Sequence, residues 1–96
     1  MELKRVVVTG VGAVTPLGLS VAETWQNVLS GKSGAAPITH FDTSLFKTKF
    51  ACEVKGFDPL QYFDRKEARK MDIYTQFALV ATREAIENSG IDLEAT

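Results

Sequence analysis

The chain has 96 residues, of which 45% are hydrophobic and 24% charged, a composition typical of one small globular domain. Its 11 basic and 12 acidic residues leave a net charge of −1, which argues against general nucleic-acid binding. A single cysteine excludes an internal disulfide, and no apolar stretch is long enough for a signal-peptide core or a membrane span. We therefore expect a cytoplasmic protein without membrane or nucleic-acid partners.

The first predicted element is a strand. Val6–Val8 is a continuous β-branched run, which is typical of a strand buried on both faces of a sheet covered by helices. The turn that follows contains Gly10 and Gly12 and invites comparison with a dinucleotide-binding loop. However, Thr15 stands where that motif needs its third glycine, and the next helix begins only at Ser20. We interpret the glycines as positions of close backbone packing rather than as a nucleotide site.

The second element is a helix with clear start and stop signals. Ser20 and Glu23 have the spacing of a capping box, and Gly31 is placed to end the helix in a left-handed conformation. An apolar stripe recurs at helical spacing and is formed by Val21, Trp25, Val28 and Leu29.

Residues 49–55 alternate between two faces, which predicts a half-buried strand near a sheet edge. Phe50, Cys52 and Val54 share the face that we expect to be buried. We expect Cys52 to act there as a small hydrophobe rather than as a nucleophile, with a pair between Cys52 and the lone His40 as the open alternative. One cysteine and one histidine do not make a credible metal site.

Two further helices are predicted in the last third of the chain. Asp64 and Glu67 form a second capping-box pattern, and a longer helix starts at Asp72 and ends near Ser89, with Gly90 as its stop signal. The longer helix is apolar around most of its circumference, so it needs more protein to cover it than this chain supplies. Its narrow polar strip consists of Gln76, Arg83 and Glu87.

The short helix carries four basic residues, Arg65, Lys66, Arg69 and Lys70, whose spacing places them on one side. Neighbouring acidic residues reduce the net charge of the segment to about +1. Two interpretations follow. The basic side is either a solvated face with a few weak salt bridges, or a docking surface that speeds association with an acidic partner and orients it.

Several segments, in order along the chain, resemble elongating β-ketoacyl-acyl carrier protein synthases, and the type II enzyme most closely. The first is Arg-Val-Val-Val-Thr-Gly-Val-Gly-Ala-Val-Thr-Pro-Leu-Gly, residues 5–18. The others are His-Phe-Asp-Thr-Ser at residues 40–44, Lys-Phe-Ala at 49–51, the basic segment at 65–72 and Asn-Ser-Gly at 88–90. Together they span nearly the whole chain.

The resemblance implies that residues 1–96 are the amino-terminal portion of a β-ketoacyl synthase domain whose remainder is absent. It implies a thiolase-like α/β fold, layered α-β-α-β-α, in which each of the two related halves of the complete chain contains a mixed five-stranded sheet. It also implies that the complete enzyme is a homodimer. It also implies acyl transfer onto a cysteine and decarboxylative condensation with malonyl-acyl carrier protein, aided by two histidines and requiring no cofactor or metal.

The family's nucleophile lies in a Thr-Ala-Cys motif, and neither that motif nor the downstream histidines occur in this chain. Cys52 and His40 match neither, so we expect no catalytic residue here and an inactive chain when it is isolated. Lys66, Arg69 and Lys70 match the family's docking residues for the acidic helix of acyl- and malonyl-loaded acyl carrier protein, and Arg65 is adjacent. The alternatives are a non-catalytic carrier-binding module and a chain-length-factor-like subunit of a polyketide synthase.

Overall fold

A computed structural model of the chain describes residues 2–94. Its elements are, in chain order, helix α1 (Val21–Leu29), strands β1 (Ala36–Pro37) and β2 (Phe50–Ala51), a 3₁₀ turn (Pro59–Gln61), and helices α2 (Arg65–Lys70) and α3 (Ile73–Ser89). The two short strands pair antiparallel, with Ala36 opposite Ala51 and Pro37 opposite Phe50. Within residues 2–94, none of the helices combines the length and apolarity that crossing a bilayer requires.

The helix starts follow the capping signals of the sequence. The Ser20 hydroxyl accepts the Glu23 N–H at 3.2 Å, and the Asp64 carboxylate accepts the Glu67 N–H at 2.7 Å. These bonds satisfy N–H groups that the first turn of a helix leaves without a partner. Asp72 occupies the capping position of α3, but its side chain makes no capping hydrogen bond. Two of the three side-chain caps are therefore confirmed.

The helix ends follow the glycine signals. Gly31, just after α1, has a φ of 73°, and Gly90, just after α3, has a φ of 68°. Both values lie in the left-handed region that side chains with a Cβ adopt only at a cost. The predicted stop signals are confirmed at both positions.

The segment around Val6–Val8 does not form the predicted buried strand. Residues 2–14 have no regular secondary structure, and the side chains of Val6 and Val8 are 90% and 82% exposed. A strand needs a neighbour that shares its hydrogen bonds, and the sheet of the described residues contains only β1 and β2. The β-branched run therefore pairs with no strand of the described residues.

The predicted strand at 49–55 is reduced to β2, which does lie at a sheet edge. The expected burial of one face is met only at Val54, which is partly covered. Phe50 and Cys52 are exposed, whereas Ala51 and Glu53 on the other face are partly covered. Cys52 is thus not a buried hydrophobe in this structure, because the alternation predicts two faces but not which one another element covers.

Few apolar side chains are covered by the chain itself. Phe63 and Val80 are buried, whereas Trp25 on α1 is 59% exposed and Tyr74 on α3 is 71% exposed. The radius of gyration is 17.3 Å, compared with about 13 Å for a compact domain of similar length. The expectation that α3 requires further protein to cover it agrees with this exposure.

Gln76 was placed in the polar strip of α3, but the structure buries it. Its side chain is 5% exposed, and its Nε2 donates to the Ala68 carbonyl oxygen of α2 at 3.1 Å. The bond ties α3 to α2 and so helps to set the position of the basic helix. Gln76 thus separates from the exposed Arg83 and Glu87 of the predicted polar strip, because its side chain is buried and bonded to α2.

The glycine turn packs directly on the backbone of α3. A Cβ on Gly12 would lie 2.8 Å from the Ala81 carbonyl carbon and 2.9 Å from the Ala85 nitrogen. A Cβ on Gly10 would lie 2.7 Å from the Ser89 nitrogen. These distances are shorter than van der Waals contact. The close-packing interpretation of both glycines is confirmed.

Polar side chains of α3 complete this contact. The Glu84 carboxylate accepts the Ala13 N–H at 2.9 Å and the Val21 N–H at 3.1 Å and 3.2 Å. One turn later, the Asn88 side-chain oxygen accepts the Val11 N–H at 3.3 Å. Glu84 thereby joins the glycine turn, the first residue of α1 and the middle of α3.

Glu53 makes the stability of the antiparallel pair β1–β2, called the hairpin below, depend on pH. The Thr39 N–H and hydroxyl donate to its carboxylate, and His40 Nε2 lies 3.3 Å from it. Desolvation would raise the pKa of Glu53, but the hydrogen bonds from Thr39 and the charge of His40 outweigh it, so the pKa lies below its usual 4.5. Because the folded pKa is depressed, the stabilisation is present above about pH 4.5 and is lost as the pH falls through the folded pKa.

We expect Glu53→Gln to lower the thermal unfolding temperature of the protein at neutral pH. The difference from the parent should shrink as the pH falls below 4.5, where the parent carboxylate is protonated as well. Melting curves recorded across this pH range measure both effects. A difference that stays constant with pH would contradict the role of the ionised carboxylate.

Candidate functional site

Helix α2 presents the four predicted basic residues to solvent. Because Asp64 caps the helix at its first turn, the helix begins at Arg65, and successive side chains are separated by about 100° around its axis. Arg65, Lys66, Arg69 and Lys70 therefore share one side, which we call the basic face, and all four are exposed. None of them forms an ion pair with another residue of the described range 2–94. The basic face is thus open to a partner.

The opposite side of α2 holds the helix in place. Ala68 is partly covered, and its carbonyl oxygen accepts the hydrogen bond from the buried Gln76. Glu67 does not lie on the basic face but lines an adjacent groove. Glu67 shares this groove with Lys70 of the basic face, but it forms no ion pair with any residue in the range 2–94.

The groove at the edge of the basic face has a volume of about 380 Å³ and lies between α2 and α3. Its lining consists of Phe63, Glu67, Lys70, Met71, Leu79 and Arg83. Lys70 belongs to both the groove and the basic face. The groove could not be predicted from the sequence, because its lining comes from three separate parts of the chain.

Arg83 is fixed above the buried Phe63. Its Nη1 donates to the Tyr62 carbonyl oxygen at 2.8 Å, and its guanidinium carbon lies 4.8 Å from the centre of the Phe63 ring. A cation above an aromatic face is attracted by the ring quadrupole, which makes the face of the neutral ring partially negative. Arg83 therefore adds a positioned cation across the groove from Lys70.

Cys52 and His40 line one cavity, together with apolar residues of α3. However, His40 Nε2 pairs with Glu53 rather than with Cys52. A nucleophilic cysteine needs a base or a cation that favours its thiolate, whereas Cys52 is a free, exposed cysteine and the one nearby imidazole that lines its cavity is paired with Glu53. The arrangement provides no nucleophile–base pair.

The glycine turn is closed to a phosphate. The Gly10 and Gly12 backbones lie against α3, and the Val21 N–H at the start of α1 already donates to the Glu84 carboxylate. A pyrophosphate site would need free N–H groups at that helix terminus, and a carboxylate there repels an anion. The rejection of a nucleotide site agrees with this geometry.

Residues 3–96 match the family model described as "Beta-ketoacyl synthase, N-terminal domain". The chain belongs to the β-ketoacyl synthase family. Two curated relatives named 3-oxoacyl-[acyl-carrier-protein] synthase 2 are similar to it: the Coxiella burnetii protein is 50% identical over 96 residues, and the Vibrio cholerae protein 47% over 93 residues. These alignments cover 100% and 97% of this chain but 23% and 22% of the relatives. The chain therefore spans less than a quarter of their length.

A solved structure titled "The ishigamide ketosynthase/chain length factor" also matches this β-ketoacyl synthase chain. The TM-score is 0.81 at 35% identity, and the match covers 92% of this chain and 22% of the other. The family and the structural match confirm the expected fold class. The chain is the amino-terminal part of a thiolase-like α/β fold.

In this β-ketoacyl synthase chain, the candidate residues fall into two separate places. The basic face lies on α2, whereas His40 and Cys52 lie by the hairpin. Glu84 and Arg83 are positioning residues that the sequence patterns do not predict. Glu84 carried no signal, because its hydrogen-bond partners are more than 60 residues away along the chain. Arg83 was assigned only to a polar strip.

Proposed function

We propose that residues 1–96 are the amino-terminal portion of a β-ketoacyl-acyl carrier protein synthase II. The complete protein would elongate fatty acyl chains by decarboxylative condensation of an acyl-enzyme with malonyl-acyl carrier protein. The observation that carries this proposal is the identity of 43–50% to relatives named 3-oxoacyl-[acyl-carrier-protein] synthase 2, which extends over nearly the whole chain. The complete enzyme would be a homodimer, as the resemblance implies, and a cytoplasmic protein without cofactor or metal, as the composition suggests.

Within that enzyme, this segment would supply scaffold and docking surface rather than catalysis. The acyl group is expected on a cysteine outside these residues, and the charge on the malonyl thioester oxygen would be stabilised by two histidines that also lie outside them. The isolated chain is therefore expected to have no condensing activity. The lack of a nucleophile–base pair at Cys52 and His40 is consistent with this division of roles.

The docking partner that we propose is acyl carrier protein, in its acyl- and malonyl-loaded forms. The relatives' name includes this carrier, and the basic face offers four exposed cations that form no ion pair within residues 2–94. Exposed charges of one sign attract a partner of opposite charge and orient it, and their effect weakens as salt is added. Arg65, Lys66, Arg69 and Lys70 would therefore steer an acidic carrier helix onto α2.

The test is the double reversal Lys66→Glu with Arg69→Glu in the complete protein. We expect the Kd for acyl carrier protein to rise about tenfold and kcat/KM with carrier substrates to fall by a similar factor. The salt dependence of binding should also decrease. Acyl transfer from an acyl-CoA donor should fall much less, because that donor does not use the carrier-binding surface.

The matched control is Lys47→Glu with Lys49→Glu, which changes the net charge equally at exposed positions away from α2. This control should retain most of the affinity for the carrier. Equal losses with the two double variants would show a general charge effect. Equal losses with carrier and acyl-CoA donors would indicate misfolding. Only the first of these results would contradict docking on the basic face.

A second candidate is a chain-length-factor-like subunit of a polyketide synthase, which shares the fold but lacks the nucleophile. The structural match to a ketosynthase/chain length factor supports this second candidate. Incubating the complete protein with acyl-CoA distinguishes a synthase from a chain-length-factor-like subunit. A synthase gains the mass of one acyl group as a thioester that hydroxylamine releases, whereas a subunit without the nucleophile does not.

A non-catalytic carrier-binding module is the remaining alternative. Such a module would fold independently and form a salt-sensitive complex with acyl carrier protein as the isolated 96-residue chain. The exposed apolar side chains of α1 and α3 argue against independent folding. Titration of the carrier against the isolated chain at several salt concentrations distinguishes the module from the enzyme segment.

A further inference from the structure

Helix α2 is too short to be stable without bonds to other elements. It has six residues, and isolated helices of fewer than about 12 residues are marginal at best in water. Its first turn is fixed by the Asp64 carboxylate, which accepts the Glu67 N–H at 2.7 Å. Its last turn carries Arg69 and Lys70 and ends at carbonyl groups that lack partners inside the helix. A group that binds one of those carbonyls therefore helps to set where the two cations lie.

The side chain of Gln76 binds one of these carbonyls. Its Nε2 donates at 3.1 Å to the Ala68 carbonyl oxygen, which also accepts the Met71 N–H at 3.4 Å. Gln76 belongs to α3, which Glu84 bonds to the glycine turn, and its side chain is 5% exposed. Further protein around α3 can add to this burial but cannot reduce it while the two helices keep this contact. The amide is thus a buried link between α3 and the last turn of the basic helix.

The Gln76 amide uses only part of its hydrogen-bonding capacity. Its Oε1 is buried and has no donor among residues 2–94. An unsatisfied buried acceptor costs free energy, which offsets much of what the Nε2 bond contributes. An apolar side chain of the same length would occupy this position without that cost. The amide therefore contributes more to the placement of α2 than to net stability.

We propose that Gln76 is a positioning residue for carrier docking. By holding the Ala68 carbonyl oxygen, it keeps the last turn of α2 helical and presents Arg69 and Lys70 in one arrangement before the carrier arrives. A segment that is ordered in advance does not have to be ordered on binding, which lowers the Kd. Gln76 acts only through α2 and touches neither the carrier nor a reacting group. The proposal rests on the proposed function and adds a buried determinant outside the docking surface.

The test is Gln76→Met in the complete protein, because methionine keeps the length of the side chain and removes both polar atoms. We expect the Kd for acyl carrier protein to rise about fivefold, since the last turn of α2 must then be ordered on binding. The salt dependence of binding should remain that of the parent, because no charge is removed. Amide hydrogen exchange should accelerate in α2 but not in α3. Acyl transfer from an acyl-CoA donor and the unfolding temperature should stay close to those of the parent.

The matched control is Val80→Ala, which alters the other buried side chain of α3, one turn further along. It creates a cavity and should lower the unfolding temperature by several degrees. It removes no bond to α2, so the Kd for the carrier, measured well below the unfolding temperature, should be that of the parent. The two variants are therefore expected to separate carrier affinity from stability in opposite directions.

The outcomes separate this inference from the proposed function. If Gln76→Met binds the carrier as tightly as the parent while Lys66→Glu with Arg69→Glu weakens binding, the positioning role is wrong and docking on the basic face stands. If Gln76→Met and Val80→Ala lose stability and affinity in parallel, Gln76 is only a core residue, which also overturns the inference. If the charge reversals have no effect on carrier binding, the proposed docking fails, and the positioning role fails with it.

Discussion

Gly12→Ala is expected to destabilise the complete protein by about 3 kcal/mol, because the added methyl group has no space. The Cβ would lie 2.8 Å from the Ala81 carbonyl carbon and 2.9 Å from the Ala85 nitrogen. Both atoms belong to the backbone of α3, which cannot move as a flexible side chain can. Either the glycine turn or the helix must shift, and the thermal unfolding temperature of the complete protein measures the cost.

Gly31→Ala is the control for Gly12→Ala, because it tests backbone strain without a clash. Gly31 has a φ of 73°, but nothing lies within 4 Å of the position that its Cβ would occupy. The expected cost is about 1 kcal/mol, from the left-handed conformation alone. Equal unfolding temperatures for the two variants would contradict close packing of the glycine turn on α3.

Glu84→Ala is expected to cost about 3 kcal/mol, because it removes the acceptor for two backbone N–H groups at once. The Glu84 carboxylate binds the Ala13 N–H in the glycine turn and the Val21 N–H at the start of α1. Without it, both donors lose a charged partner in a part-buried contact. The unfolding temperature of the complete protein should fall, and hydrogen exchange should accelerate at these two amides.

The control for Glu84 is Glu87→Ala, which removes an exposed carboxylate from the same helix. An exposed glutamate replaced by alanine is expected to change stability by less than about 0.5 kcal/mol. Glu84→Gln keeps one oxygen acceptor and should be intermediate. If Glu84→Ala and Glu87→Ala melt together, the carboxylate does not hold α1 and the glycine turn to α3.

The docking proposal and the stability predictions concern different faces of α3. Its glycine-packed side is fixed by backbone contacts and by Glu84, whereas Arg83 and Leu79 face the groove next to α2.

The amino-acid sequence by itself determined the local features of this protein. Ser20 and Asp64 start their helices, and Gly31 and Gly90 end theirs, because these signals act between residues a few positions apart. The basic face of α2 was predictable for the same reason, since helical geometry alone places its residues on one side. The ordered family motifs added the fold class.

Only the tertiary structure decided which surfaces are covered. Val6–Val8 has strand composition but no neighbouring strand, and Cys52 has an alternating pattern but no covering element. Gln76 is polar yet buried, because α2 lies over it. Glu84 binds amides more than 60 residues away. Each of these outcomes depends on contacts between distant segments, and neither composition nor periodicity carries information on which segments meet.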